Sequence, residues 1–342
     1  MNKKRWFAFA LAIVILAISY VVPAYKPETE DMSQVFDKML PYGPFSREHK
    51  LIEEKITDGG QNKIAVLELS GAITSAQASA LSPVGYDHAF FLNQLDAIKK
   101  DPAVKGILFV VNTPGGGVFE SAEIHRKISE IKSEKQIPIY VTMQQLAASG
   151  GYYVSANADK IYANEETWTG SIGVIMQSFN FTGLFKKYGI SVNTITSGDN
   201  KDMGSSFREW TAEDKQLFQG LVDDAYEKFV NIVAEGRNMD KATVKKIADG
   251  RIYTAKQALD NNLIDAIGNK DDALDALMSE KELTGATVFK YRQLKAPTFM
   301  DFLKTSVAKI KGEYDPVLLQ MESLLKEYGN NAPRLMYLYG GE

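Results

Sequence analysis

The sequence predicts an α/β domain assembled from parallel strand–helix–strand units. Short apolar runs alternate with amphipathic stretches along most of the chain, the order that gives right-handed crossover connections. Val104 to Val111 is almost uninterrupted in its apolar character, as a strand covered on both faces must be. Small-residue stretches, Asn112-Thr113-Pro114-Gly115-Gly116-Gly117 and Leu146-Ala147-Ala148-Ser149-Gly150-Gly151, fall where a strand pattern gives way to a helical one. With 342 residues, 45% hydrophobic and 24% charged, the chain can form one sizeable domain or two smaller ones. A net charge of −4 gives no sign of a nucleic-acid partner. The absence of cysteine excludes disulfides, a thiol nucleophile, thiolate metal sites and a lipoprotein cysteine.

Residues 1–5 form a basic head. The apolar run from Trp6 to Val22, closed by Pro23, lies near the lower limit for crossing a bilayer, roughly 17 residues. It exceeds the usual core of a signal peptide. Residues 6–23 are therefore read as a retained transmembrane anchor rather than a cleaved leader ending at Val22 and Ala24. Lys3, Lys4 and Arg5 stay cytoplasmic, so the body of the protein is expected to be extracytoplasmic, at the cell membrane. Residues 24–62 show no sustained apolar period and are broken by Pro27, Pro41, Pro44, Gly59 and Gly60, which reads as a stalk or linker.

The folded domain is placed at 63–295. Ile64 to Leu69 reads as a strand, and Ala89 to Lys100 as a helix directing Phe90, Leu92, Leu95 and Ile98 inward. The strand Val104–Val111 leads through the glycines into a helix from Val118 to Lys132. Ile137 to Met143 is a third strand, and the Ser149 stretch opens the next helix. Further strands are expected at Lys160–Ala163, Val174–Met176 and Ser191–Thr196, with a helix at Phe181–Tyr188 between the last two. The second half is mostly helical. Thr211 and Asp214 suit a capping box ahead of an apolar stripe (Leu217, Phe218, Leu221, Val222, Phe229, Ile232, Val233). Helices follow at Lys241–Ala248, Ala255–Asn261 and Asp271–Met278, and then a strand at Thr287–Tyr291. Residues 296–342 read as an amphipathic helix and an apolar tail ending in Leu335-Met336-Tyr337-Leu338-Tyr339-Gly340-Gly341-Glu342.

Ser149 sits among very small residues at a strand-to-helix transition, where a hydroxyl is accessible and backbone N–H groups can receive an oxyanion. The same pattern suits a tight packing contact. Gly115-Gly116-Gly117 lies at the carboxyl end of a buried strand, where open α/β sheets bind ligands. It has neither the Walker nor the dinucleotide spacing, and no basic residue, so a developing oxyanion suits it better than a phosphate; a plain tight turn is equally compatible. A serine nucleophile needs a base. Of the three histidines, His49 lies in the linker, His88 precedes a helix, and His125 reads as a solvated helix residue, so a histidine triad has little support. A buried, neutral lysine would also serve, but pattern alone does not select one. Lys201, in a loop after an expected strand, is one candidate among many.

Five stretches in this order resemble a known family. They are Asn112–Gly117, Ala148–Tyr153, Thr169-Gly170-Ser171-Ile172-Gly173-Val174, Ser197-Gly198 ahead of Lys201, and Asp249-Gly250-Arg251-Ile252-Tyr253-Thr254-Ala255-Lys256-Gln257-Ala258. Together they are similar to the short bacterial form of the signal peptide peptidase A (SppA) family, over about 64–268. Thr113 departs from the pattern, standing where the family usually has serine. The resemblance implies a ClpP/crotonase-type fold, a β-β-α superhelix, and a membrane-anchored endopeptidase of remnant signal peptides that needs no cofactor. It also implies Ser149 as nucleophile, Lys201 as general base, Ser171 orienting the lysine, and the N–H groups of Gly116 and Gly150 as the oxyanion hole. It further implies a homo-oligomeric ring, octameric for the short form, whose sites take serine and lysine from different subunits. The apolar tail from Leu335 resembles a substrate and is a candidate occupant of the site. Two rival functions stand beside this one: a crotonase-like acyl-CoA hydratase or isomerase, which shares a glycine oxyanion hole, and a non-catalytic membrane scaffold.

Overall fold

A computed structural model describes residues 51–75 and 86–293, and the backbone of 335–338. The chain divides into two units, Met1–His49 with Leu294–Gly312, and Lys50–Gln293 with Glu313–Glu342; everything described belongs to the second. The basic head, the expected anchor, His49 and the C-terminal helix lie outside the described residues. Among the described residues, no helix is long and apolar enough to cross a membrane.

The second unit is a mixed α/β structure around a nine-stranded sheet. Its central strands are β2 (Gly60–Ser70), β3 (Val104–Thr113) and β5 (Ile139–Ala148), all parallel and in that spatial order. β6 (Lys160–Ala163) pairs with the first half of β5, and β7 (Trp168–Gly170) with its last three residues. β9 (Ile252–Thr254) runs antiparallel to β7, and β10 (Ala266–Ile267) extends the edge beyond β6. At the other edge β11 (Ala286–Gln293) lies parallel to β2 and carries β1 (Leu51–Thr57) antiparallel outside it.

Apolar residues alternate between two cores. One face contributes Leu67, Leu69, Phe109, Val111, Val141 and Met143 to the larger core, closed by α1 (His88–Lys100), α2 (Val118–Lys135), α3 (Gly150–Ser155) and α5 (Ala212–Gly236). The other face contributes Ile64, Val66, Leu108, Val110 and Tyr140, packed by Ala273 and Leu277 of α8 (Lys270–Glu280). Burial on both faces is why Val104–Val111 reads as almost uninterrupted apolar sequence. Three short helices complete the unit: α4 (Thr182–Lys187), α6 (Lys241–Ile247) and α7 (Ala255–Asp260). The Thr211–Asp214 capping box is present, with the Asp214 N–H donating to Thr211 Oγ1 at 3.0 Å and the Thr211 N–H to Asp214 Oδ2 at 2.8 Å.

Two expectations are corrected. Residues 51–62, read as linker, form β1 and the start of β2, so the folded body begins earlier than Lys63. β1 is an edge strand with no buried residue, held mainly by its ladder to β11, and so it leaves no apolar period to read. Ser191–Thr196 is not a strand. Its β-branched residues favour a strand, yet Val192 and Ile195 are exposed, Ile195 almost fully at 99%. They belong to an apolar, outward-facing stretch with Leu184, Tyr188 and Ile190.

A second sheet forms at the carboxyl ends of the central strands. β4 (Gly115–Gly117) and β8 (Ile175–Met176) flank β12 (Leu335–Leu338), which is antiparallel to both. The C-terminal segment thus enters as the middle strand, with Tyr337 opposite Gly116 and Met336 opposite both Gly117 and Ile175.

Candidate active site

β5 runs straight into Ser149, which is the N-cap of α3. Its backbone takes φ 53° and ψ −113°, a conformation that a non-glycine residue rarely adopts. Such strain is kept only where the surroundings enforce it. Here the Ser149 N–H donates to the Gly170 carbonyl (2.8 Å), and its own carbonyl accepts from the Tyr153 N–H (2.9 Å). The hydroxyl makes no capping bond, so the first-turn N–H groups of α3, beginning with Gly150, have no side-chain cap. Ser149 is 1% exposed with β12 in place.

The glycine strand is fixed from three sides. Thr113 Oγ1 donates to the Gly71 carbonyl at 2.6 Å and accepts the Gly115 N–H at 3.0 Å. Ile73 pairs alongside, its N–H donating to Gly115 O (2.7 Å) and its carbonyl accepting from the Gly117 N–H (2.8 Å). Of the three glycine N–H groups, that of Gly115 is taken by Thr113 Oγ1 and that of Gly117 by the Ile73 carbonyl, while Gly116 faces Tyr337 across the ladder. A Cβ on Gly116 would lie 2.0 Å from the Ile73 carbonyl oxygen. Glycine is therefore required by close backbone approach.

Ser171 lies immediately past β7, whose Gly170 is in register with Ala148 of β5. Parallel pairing thus sets Ser149 and Ser171 side by side at the sheet's carboxyl edge. Ser171 is also at positive φ (47°), pinned by its N–H to the Arg251 carbonyl (2.8 Å). Gly250 returns a bond from its N–H to Ile172 O (3.1 Å), so the Asp249–Ala258 stretch buttresses the Ser171 turn.

Lys201 is elsewhere. It sits on an exposed run of turns before α5 and makes no hydrogen bond to Ser149 or Ser171 within the chain. The histidines differ from their sequence reading. His125 is not solvated: its ring packs edge-on against Tyr153, its Nε2 is buried without a partner, and burial pulls its pKa down to about 4. His88 does have an orienting carboxylate. Its Nε2 meets Glu123 Oε2 at 3.0 Å and its Nδ1 meets the Tyr86 hydroxyl at 2.6 Å, which occupies both nitrogens. Neither ring hydrogen-bonds Ser149. The sequence reading also overlooked Ile73, which clamps the glycine strand; an isolated apolar residue after a strand gives no local signal.

The chain is 41% identical to a protein of Enterococcus faecium named "Putative signal peptide peptidase SppA", over the full length of both. Residues 131–284 match Peptidase family S49. The chain belongs to that family. This S49 member is a serine peptidase, and it resembles others of more distant origin. It is 31% identical to Protease 4 of Haemophilus influenzae over 67% of this chain and 37% of that one. It is 30% identical to the chloroplastic serine protease SPPA of Arabidopsis thaliana over 63% of this chain and 32% of that one.

Proposed function

We propose that this S49 peptidase is a membrane-anchored, extracytoplasmic endopeptidase that hydrolyses cleaved signal peptides and other apolar peptides, with Ser149 as nucleophile and Lys201 as general base. The observation that carries this reading is the antiparallel ladder of Leu335–Leu338 between Gly115–Gly117 and Ile175–Met176. An extended peptide lies there beside Ser149, held by backbone pairing, as a substrate would be. Neutral Lys201 takes the Ser149 hydroxyl proton as the oxygen attacks the peptide carbonyl. The N–H groups of Gly116 and Gly150 receive the oxyanion, where one preorganised donor typically contributes about 3 kcal/mol. Lys201 then gives its proton to the leaving amine, and water hydrolyses the acyl-enzyme. Ser171, set next to Ser149 by the β5–β7 register, would hold the lysine.

Within one chain the base is missing from the site, and the exposed apolar stretch around Leu184, Tyr188 and Ile190 precedes Lys201. Both features support a ring of the ClpP/crotonase type in which a neighbouring subunit docks this stretch and delivers its lysine. Such a ring would be octameric, with the chain's own tail as a resident ligand.

The test is hydrolysis of a fluorogenic apolar peptide by the full-length protein. Ser149→Ala and Lys201→Ala should each abolish turnover with the melting temperature retained. Mixing the two inactive variants should restore part of the activity if sites are shared. Near wild-type turnover by either single variant sinks the pairing, and acyl-CoA hydration by the wild type would favour the crotonase alternative.

A further inference from the structure

Lys201 lies in a series of tight turns. Its N–H donates to Gly198 O (3.1 Å), the Met203 N–H to Asn200 O (3.2 Å), and the Ser205 N–H to Asp202 O (3.0 Å). Turns of this kind, out on an exposed segment, do not by themselves hold a side chain to the tolerance that proton transfer requires. Both neighbours of Lys201, however, are tied to the first turn of α5. Asn200 Nδ2 donates to Glu213 Oε1 at 3.3 Å. Asp202 receives a two-pronged contact from Arg208, Nε to Oδ2 at 3.0 Å and Nη2 to Oδ1 at 2.8 Å. Arg208 then bridges onward to Asp214, Nη2 to Oδ1 at 3.2 Å and Nη1 to Oδ2.

Asp214 is the fixed end of this bridge. It is 1% exposed, it closes the α5 capping box, and the Arg208 guanidinium with the Thr211 N–H holds its carboxyl down at about 2. The same guanidinium keeps the Asp202 carboxyl below its ordinary value. Both carboxylates therefore stay ionised across the working range, and the bridge stays closed. The planar fork of arginine matches a carboxylate on two edges, which an ammonium cannot do.

We propose that Arg208 is a positioning residue for the general base: it locks Asp202, and with it the backbone of Lys201, to the start of helix α5. This rests on Lys201 being the base. Arg208 itself touches neither substrate nor the reacting atoms. Its contribution is to fix where the lysine side chain begins, so that Nζ reaches a serine hydroxyl it does not meet within its own chain.

Kinetics on the full-length protein with a fluorogenic apolar peptide tests it, with Lys201→Ala as reference. Arg208→Gln should lower kcat roughly 10–100-fold, the scale of loss expected from about 1 Å of misplacement. KM should stay within about twofold, because neither Arg208 nor Asp202 pairs with the strand-seated segment or its two flanking strands. Arg208→Lys should remain low, since it keeps the charge and loses the fork. Adding guanidinium ion to Arg208→Ala should recover part of kcat, which a merely unfolded loop would not do. If Arg208→Gln fails to fold, Asp202→Asn carries the test: it leaves the Arg208–Asp214 bridge intact and should show the same fall in kcat. Wild-type kcat in Arg208→Gln or in Asp202→Asn, with Lys201→Ala inactive, overturns the clamp alone. Full activity in Lys201→Ala removes the base assignment and the clamp with it.

Discussion

Replacing Gly116 by alanine separates backbone geometry from side-chain chemistry. The new Cβ would sit 2.0 Å from the Ile73 carbonyl oxygen and 2.7 Å from its carbon and nitrogen, all backbone atoms with nowhere to rotate. Relief needs a shift of more than about 1 Å between the Ile73 segment and the glycine strand, given ordinary carbon–heavy-atom contacts near 3.5 Å. That shift breaks the pair of bonds that Ile73 makes to Gly115 and Gly117 at 2.7 and 2.8 Å. At about 1 kcal/mol each, the loss is about 2 kcal/mol, roughly 4–8 °C in melting temperature for a domain of this size. The same shift displaces the Gly116 N–H proposed to receive the oxyanion, and loss of such a donor typically costs 100–1,000-fold in kcat, about 3 kcal/mol. Gly117 supplies the control. Its Cβ would meet the Glu120 carboxylate at 1.9 Å, the free end of a flexible side chain that can swing away. Gly117→Ala should keep kcat within about tenfold of wild type. Steady-state peptide hydrolysis with parallel thermal melts is the assay. Gly116→Ala turning over within tenfold of wild type, or Gly117→Ala falling as far, would refute the reasoning.

Thr113→Ser keeps the hydroxyl that joins Gly71 to Gly115 and should retain most activity, whereas Thr113→Val strands the Gly115 N–H and should lose about tenfold or more in kcat; equal activities would show that the hydroxyl does not shape the loop. Removing residues 335–342 should vacate the strand between β4 and β8 and lower the apparent KM for a competing peptide, and an unchanged KM would mean that the tail does not compete. His125 should make the fold acid-sensitive. Its folded pKa, about 4, lies below the ordinary value near 6.5, so the stability it allows is complete above pH 6.5 and is lost as pH falls toward 4, by up to about 3 kcal/mol. His125→Leu should flatten that part of a melting-temperature profile, and identical profiles would show that another group titrates.

Much of the scaffold was legible because burial on both faces leaves an unmistakable trace. Val104–Val111 has no reason to be so uniformly apolar unless covered twice, and the Thr211–Asp214 box declares a helix start in four residues. Leu51–Thr57 was misread because an edge strand needs only a partner's backbone, which writes nothing into its own side chains. Ser191–Thr196 failed the opposite way: its β-branched residues favour a strand, but Val192 and Ile195 stand exposed rather than packed. At the site, small residues marked Ser149, yet its strained backbone and the register that brings Ser171 beside it are three-dimensional facts. His125 was misjudged because its neighbour Arg126 is exposed while its own ring turns toward Tyr153. The Arg208 clamp was hidden in full, since a guanidinium reaching two carboxylates six residues away on either side looks like any mixed-charge loop.

If substrate takes the place of Leu335–Leu338, as proposed, the strand position between Gly115–Gly117 and Ile175–Met176 has a consequence for what the site would cut. A segment seated there is flanked on both edges, so both of its rows of amide groups must be bare when it arrives. A helix has spent its amides on itself, an internal sheet strand has spent them on its neighbours, and proline lacks one outright. Such a cleft would filter on conformation before it read side chains. Excised peptides, frayed ends and unfolded stretches would pass; an intact domain would have no such segment to offer.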